Sequence, residues 1–391
     1  MSDICIICEA NPIHNGHKYL IDSARNQGAE RIICIMSGNS VQRGELAITD
    51  KYLRAEALLK CGADLVIELP FPWCCASAEA FATAGVHIAD RFGDAIIFGS
   101  ECGNIDILNK AATAASDNDF RNEYKSKLSE GYRAATAYHD MLKSKTGIDL
   151  SSNDLLGVEY IRASIKLQSK LNFFTIARCG DMYLDDIITD DKYPSATAIR
   201  NMWKNGKFEE TQKYIPSDAF DVYSNAFKND SIITDISELD SAVLWFFRSR
   251  NGEDLCNIVG AEGGLANRFC EKAKVATSVS ELVELVKNKR YTDSHLRRFM
   301  LYCMIGVTSD DISALPDETF LLAANEKGRK LLTEKRKHGV LDDFYLITKP
   351  ADQNMDKRQN ILSSRVDALF SLARKKKLPS DFCIKNKPYI E

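Results

Sequence analysis

The chain predicts an α/β fold, a parallel sheet covered on both faces by helices and followed by a mostly helical remainder. Three observations predict it. Residues 1–100 hold four near-continuous apolar runs, Ile4–Cys8, Arg31–Met36, Asp64–Leu69 and Asp94–Gly99, too apolar for strands with one face in water. Segments of helical spacing separate them, as the crossover between parallel strands requires. The first run leads into Asn11, Pro12, Ile13, His14, Asn15, Gly16 and His17, a strand-to-helix turn that aims free backbone N–H groups at whatever sits above it.

Each element follows from local signals. After Ile4–Cys8 a helix is expected over about His17–Asn26. Arg31–Met36 leads into the loop Ser37–Gly44, and Asp50 stands where a cap would start a helix running to Lys60. Pro70 and Pro72 close the strand Asp64–Leu69, and an alanine-rich helix spans about Ser77–Arg91 before the strand Asp94–Gly99. Residues 104–170 read as polar-faced helices broken at Gly147–Asn153. Asn172–Arg178 is a further strand, Asp185–Asp191 an acidic loop, and Ser195 precedes an apolar helical run. The pattern is mostly helical from there on. The expected organisation is an α/β unit over 1–205, with a helical insertion at about 104–170, and a basic, mostly α-helical unit over 206–391. Ligands of such sheets collect at the carboxyl ends of the strands. That places His14, His17, the Ser37–Gly44 loop and Gly99 together.

Composition excludes several classes. Of 391 residues, 45% are hydrophobic and 27% charged, the balance of a globular protein rather than a disordered one. No apolar run approaches the roughly 20 residues that span a bilayer. The start, Met1, Ser2 and Asp3, enters a strand at once, so no signal peptide is expected. The twelve cysteines show no paired metal-binding spacing and read as reduced core thiols of a cytoplasmic protein, with no metal site. Charge is unevenly shared: residues 1–200 hold 21 Lys and Arg against 27 Asp and Glu, and residues 261–391 hold 24 against 18. An acidic first half and a basic last third fit a catalytic unit joined to one that binds a polyanion.

His14 and His17 are three residues apart at a helix start, where two imidazoles can follow charge onto a phosphorus and its leaving group. Ser195, Thr197 and Arg200 form a second helix start, able to hold a triphosphate with hydroxyls, amides and a guanidinium. Lys51 is expected to reach phosphate or a carboxylate, with a surface lysine on a helix start as the plain alternative. Lys287, Lys289, Arg290, Arg297 and Arg298 are candidates for RNA phosphates, the spacing of Arg290 and Arg297 suiting one helix face. The run Arg374–Lys377 reads as a solvated helix face or helix end.

The two helix starts on this fold resemble the HxGH nucleotidylyltransferase superfamily, with its Rossmann-like sheet. A longer string narrows the resemblance: Asn11–His17, Met36–Gly44, Thr49–Lys51, Arg54–Glu56, Asp64–Pro70, Phe98–Glu101, Asn153–Tyr160, Ala177–Arg178, Glu262–Arg268 and Lys287–Arg298. It is similar to the bacterial tRNA(Met) cytidine acetate ligase family along nearly the full length. That resemblance implies activation of acetate by ATP as acetyl-adenylate. Transfer to the wobble cytidine of elongator tRNA(Met) would then give N4-acetylcytidine, AMP and pyrophosphate. It implies ATP contacts at Ile7, Cys8, Glu9, Ala10, Asn11, Pro12, Ile13, His14, Asn15, Gly16, His17, Lys18, Tyr19 and Leu20, and at Gly99, Asn153 and Arg178. Mg²⁺ would be carried on the phosphates.

Family members usually have Tyr and Phe at the positions of Ala10 and Ile13, Phe at Ser40, Pro at Leu46 and Arg at His295. Fewer aromatics near the nucleotide would widen the pocket or change the carboxylate it accepts. Two other readings stay open, a small-molecule adenylyl- or cytidylyltransferase on the same core and a non-catalytic RNA-binding relative. A monomer is expected, since no exposed heptad or apolar patch stands out.

Overall fold

A computed structural model describes residues 3–178 and 194–391. The expected loop Asp185–Asp191 lies outside the described residues. β1 (Asp3–Cys8) leads through a turn into α1 (Asn15–Asn26). β2 (Arg31–Ser37) is followed by a small hairpin, β3 (Ser40–Val41) and β4 (Glu45–Leu46). Next come α2 (Lys51–Lys60), β5 (Leu65–Leu69), α3 (Ala78–Phe92) and β6 (Ala95–Ser100). Four helices, α4 (Ile105–Ser116), α5 (Asn118–Ser129), α6 (Ala134–Thr146) and α7 (Ser152–Leu167), fill the expected insertion before β7 (Asn172–Ala177). α8 (Ala196–Lys204), α9 (Ser217–Lys228), α10 (Asp240–Arg248), α11 (Leu265–Ala273), α12 (Val279–Val286), α13 (Asp293–Ile305) and α14 (Ser309–Ser313) follow. The chain closes with β8 (Glu318–Ala324), α15 (Glu326–Lys337), β9 (Tyr345–Ile347), α16 (Arg358–Ala373), α17 (Phe382–Lys385) and β10 (Tyr389–Ile390).

The sheet runs β10-β8-β5-β2-β1-β6-β7, with β9 beside β8. β5, β2, β1, β6 and β7 are mutually parallel, and β8 joins β5 antiparallel. The fold is thus α/β with a mostly parallel, mixed sheet. The expected boundary at 205 does not divide that sheet, because three strands beyond residue 300 extend it. Thr319–Ala324 is a short apolar run, and such a run reads equally as a buried strand or a stretch of buried helix.

Strand alternation sorts the core into two layers. Cys5, Ile7, Ile33, Ile35, Leu65 and Ile67 pack with Phe81, Val86 and Phe92 of α3 and Val158 of α7. Ile4, Ile6, Cys8, Ile32, Cys34 and Met36 pack with Ile21 of α1, Leu58 of α2, Trp203 of α8 and Tyr223 of α9. Each such side chain contributes about 1.5–3 kcal/mol when fully buried. With both faces covered, ligand access is left to the sheet's carboxyl edge. No helix among the described residues is long and apolar enough to cross a membrane.

Candidate active site

The turn after β1 is fixed by contacts from two helices. Ala10 takes φ +47°, a left-handed conformation that turns the chain sharply. The fully buried guanidinium of Arg54 in α2 donates to the carbonyls of Glu9 (2.7 Å), Thr49 (3.1 Å) and Gly38. The Ile13 N–H donates to the Tyr223 hydroxyl in α9 at 3.0 Å. The turn is thereby fixed to two helices before α1 begins.

His14 and His17 cap α1 reciprocally. Gly16 N–H donates to His14 Nδ1 at 3.0 Å, and His14 N–H donates to His17 Nδ1 at 3.3 Å. With both Nδ1 lone pairs engaged, each neutral ring carries its proton on Nε2. Gly16 is required here, since a Cβ would stand 2.8 Å from His14 Cε1. Burial, reinforced by His17, Arg178 and Arg200, holds His14 well below the usual imidazole range. Burial and Arg178 bring His17 to about 4. Both rings are therefore neutral donors at neutral pH.

The opposite walls supply cations and two more helix starts. Arg200 of α8 donates to the Asn11 carbonyl (2.7 Å) and the Thr197 hydroxyl (3.2 Å), and lies 3.6 Å from Glu45. Ser195 caps α8 by accepting from Ala198 N–H at 3.1 Å. At the start of α7, Asp154 ties the helix to the end of β6, accepting from the Ser100 hydroxyl (2.5 Å) and Cys102 N–H (3.1 Å). The carboxylate of Glu101 accepts from the Asn153 side chain at 2.5 Å and lies 3.7 Å from Arg178 Nε. Gly99 leaves room for Arg178, whose Cγ would stand 3.0 Å from a Cβ there.

These walls enclose an open cavity of about 210 Å³ at the carboxyl ends of β1, β6 and β7. Among the described residues the N-termini of α1, α7 and α8 converge on it, and such helix ends favour an anion. Arg43, Arg178 and Arg200 line it with a single carboxylate, Glu9, among the described residues. Phe81, Phe98, Leu156, Tyr160 and Ile176 supply an apolar side, suited to a flat heterocycle.

Most residues expected from the sequence meet in this cavity. Ile7, Cys8, Glu9, Ala10, Asn11, His14, Gly16, His17, Tyr19, Leu20, Gly99, Asn153, Arg178, Ser195, Thr197 and Arg200 all line it. Five do not. Pro12 and Ile13 are buried behind the turn, Asn15 donates outward to the Lys213 carbonyl at 3.0 Å, and Lys18 pairs with Asp22 on the surface of α1. Lys51, expected at the phosphates or at a carboxylate substrate, is 1% exposed and faces away. Its ammonium sits 2.8 Å from Glu68 and 3.6 Å from Asp367, and 4.7 Å from the centre of the Phe320 ring. Burial opposes the charge, but Asp367 and Glu68 outweigh it and hold Lys51 protonated. Asn39 orients the helix start by accepting from Lys51 N–H at 2.8 Å. Gln42 and Arg43, in the loop the sequence places beside the site, also line the cavity, and Glu101, at the end of the Phe98–Glu101 motif, holds Asn153 and Arg178; local patterns single out none of the three.

The basic candidates are not one helix face. Lys287, Lys289 and Arg290 lie in the connection between α12 and α13, and Arg297 and Arg298 within α13. Lys287 pairs with Glu284 (2.8 Å) and Asp293 (3.0 Å). Arg297 lies 3.5 Å from Glu45, and Arg298 donates to the Gln42 carbonyl at 3.1 Å. Lys289 and Arg290 are exposed. Arg374, read as part of a solvated run, is buried and donates to the Ser231 hydroxyl at 2.6 Å.

A sequence model described as HIGH Nucleotidyl Transferase matches residues 1–382. The tRNA(Met) cytidine acetate ligase of Caldicellulosiruptor bescii is 36% identical over 355 residues, covering 88% of this chain and 86% of its own. That of Caldanaerobacter subterraneus is 34% identical over 364 residues, covering 90% and 89%. This chain belongs to the tRNA(Met) cytidine acetate ligase family of HIGH nucleotidyl transferases. The crystal structure of Thermotoga maritima TmcAL without ligand matches it with a TM-score of 0.90 at 29% identity, over 100% of this chain and 99% of that one. The same protein bound with alpha-thio ATP matches with a TM-score of 0.86 at 27% identity and the same coverage.

Within the tRNA(Met) cytidine acetate ligase family, the positions expected to depart from the usual residues fall mostly away from the cavity. Of Ala10, Ile13, Ser40, Leu46 and His295, Ala10 alone lines it among the described residues. Ile13 is fully buried, and the Ser40 hydroxyl lies 3.4 Å from the Cys74 thiol. His295 stacks on Tyr291 with ring centres 4.8 Å apart.

Proposed function

We propose that this protein is an ATP-dependent ligase that activates acetate as acetyl-adenylate and acetylates the wobble cytidine of elongator tRNA(Met). The observation that carries the reading is the convergence of three helix N-termini, two Nε2–H imidazoles and three arginines on one cavity. Its relatives are named for this activity, and one of them is seen with an ATP analogue.

The geometry suits an in-line displacement. A carboxylate oxygen attacks the α-phosphorus, and the bond to the bridging oxygen breaks with its electron pair leaving on pyrophosphate. The Nε2–H donors of His14 and His17 stabilise negative charge on phosphoryl oxygens without giving up a proton. Arg200 and the start of α8 take the leaving phosphates, while Arg178, held by Glu101, takes the opposite side. The apolar wall of Phe81, Phe98 and Tyr160 takes adenine. Mg²⁺ fits as an ion carried on the triphosphate, because the one lining carboxylate among the described residues is no cage for a hard cation. tRNA is expected to lie along the connection between α12 and α13, where Lys289 and Arg290 are exposed. We place the protein in the cytoplasm, where its tRNA substrate is made, and expect it to act as a monomer.

The test is pyrophosphate release from ATP and acetate, with and without unmodified elongator tRNA(Met), followed by mass spectrometry of the nucleosides. N4-acetylcytidine that requires both ATP and acetate is the expected result. Pyrophosphate release with no acetylated nucleoside would instead identify a small-molecule nucleotidylyltransferase.

A further inference from the structure

We propose that Glu9 is the group that takes the proton from the cytidine amine as acetyl transfer proceeds. This rests on the ligase reading above. The transfer forms a bond from the amine nitrogen to the acetyl carbon and breaks the carbon–oxygen bond to phosphate. The electron pair leaves on AMP, and the attacking nitrogen must shed one proton. Among the described residues few groups in the cavity can accept it. The arginines only donate, and both imidazoles have Nδ1 engaged and a hydrogen on Nε2. Glu9 is the one carboxylate lining the cavity among the described residues.

Its position suits an acceptor that arrives on RNA. Glu9 Oε1 accepts from the N–H of Gln42 at 2.9 Å, and the carbonyl of the same Gln42 accepts from Arg298 of α13 at 3.1 Å. Gly44, at the hairpin, presses so closely on α13 that a Cβ would stand 2.3 Å from the Arg298 nitrogen. One residue, Gln42, therefore separates the carboxylate from α13, the helix that follows the exposed Lys289 and Arg290. Glu9 thus lines the nucleotide cavity and is one residue away from the helix bordering the segment proposed for RNA. Burial pushes its carboxyl above the usual range, against the pull of Arg200 and the Gln42 N–H, which makes the ionised form a stronger base.

The test separates the two half-reactions in the full-length protein. Acetate-dependent exchange of labelled pyrophosphate into ATP reads the first, and single-turnover formation of N4-acetylcytidine in tRNA(Met) reads the second. Glu9→Gln keeps an acceptor for the Gln42 N–H but cannot take a proton. It is expected to slow transfer about 100-fold or more and exchange by less than about tenfold, with Glu9→Asp recovering part of the transfer. Transfer by the unaltered protein should rise with pH along a limb that Glu9→Gln lacks. Equal losses in both half-reactions would make Glu9 a nucleotide-holding residue and overturn the assignment, as would unimpaired transfer. Absence of acetate-dependent exchange in the unaltered protein would overturn the ligase reading, and the assignment with it.

Discussion

Two groups of charged side chains sit at the carboxyl edge of the same sheet, and they have opposite fates. At the ends of β1, β6 and β7, Arg43, Arg178 and Arg200 face a cavity with Glu9 as its lining carboxylate among the described residues. At the ends of β2 and β5, Lys51 faces Glu68 and Asp367 and is sealed from water. The topology that gathers ligands at strand ends would serve both halves equally. What differs is the cover. α16 brings Asp367, β8 brings Phe320 and α17 brings Cys383 over the second group, whereas helix starts with outward-facing amides border the first. Arg178 and Arg200 have carboxylates nearby, Glu101 at 3.7 Å and Glu45 at 3.6 Å, yet still line an open cavity that can admit an anion; Lys51, sealed against buried carboxylates, holds elements together.

The comparison breaks most visibly at Lys51. Lys51→Met strands two buried carboxylates and is expected to cost about 3–5 kcal/mol of stability, read by urea denaturation, while folded protein keeps its ATP affinity. Loss of ATP binding without loss of stability would reverse the assignment and return Lys51 to the site. His17→Ala should do the converse. Adenylate formation should fall about 10²–10³-fold, as when an oxyanion donor is removed, with a stability change near the ~1 kcal/mol of a lost cap. If pyrophosphate exchange survives in His17→Ala, the imidazole role is wrong.

A smaller effect follows from pH. The unfolded chain binds a proton on each imidazole near pH 6.5, whereas folded His17 refuses one until about 4 and folded His14 until well below its ordinary value. Stability is therefore lost as pH falls through 6.5 towards 4. His17→Asn should flatten part of that slope in chemical denaturation series; an unchanged slope would show that other groups carry it. The smallest expected effects separate exposed from engaged arginines. Arg290→Ala should lower the salt dependence of tRNA binding by about one unit and leave the melting temperature unchanged. Arg298→Ala should lower the melting temperature, because Arg298 supports the hairpin at Gln42. Equal salt effects from both would mean that α13 itself faces the RNA.

Much of this protein is written in neighbouring residues. The five parallel strands, the caps at Asp50 and Ser195 and the His14–His17 turn rest on near-continuous apolar runs, helical spacing and capping, which act within a few positions. The sequence by itself determined that a helix follows closely on the first strand, expected from about His17 and found from Asn15, and that the sheet is buried on both faces. Tertiary structure alone decided which charges stay available. Lys51 and Arg54 are near neighbours in one helix, yet the first meets Asp367 and the second the carbonyls of Glu9 and Gly38. Arg297 and Arg298 spend their charge on Glu45 and Gln42, and β8 completes the sheet from beyond residue 300. A charge is neutralised, or a strand paired, by groups far away in the chain, and no local pattern encodes which of them will arrive.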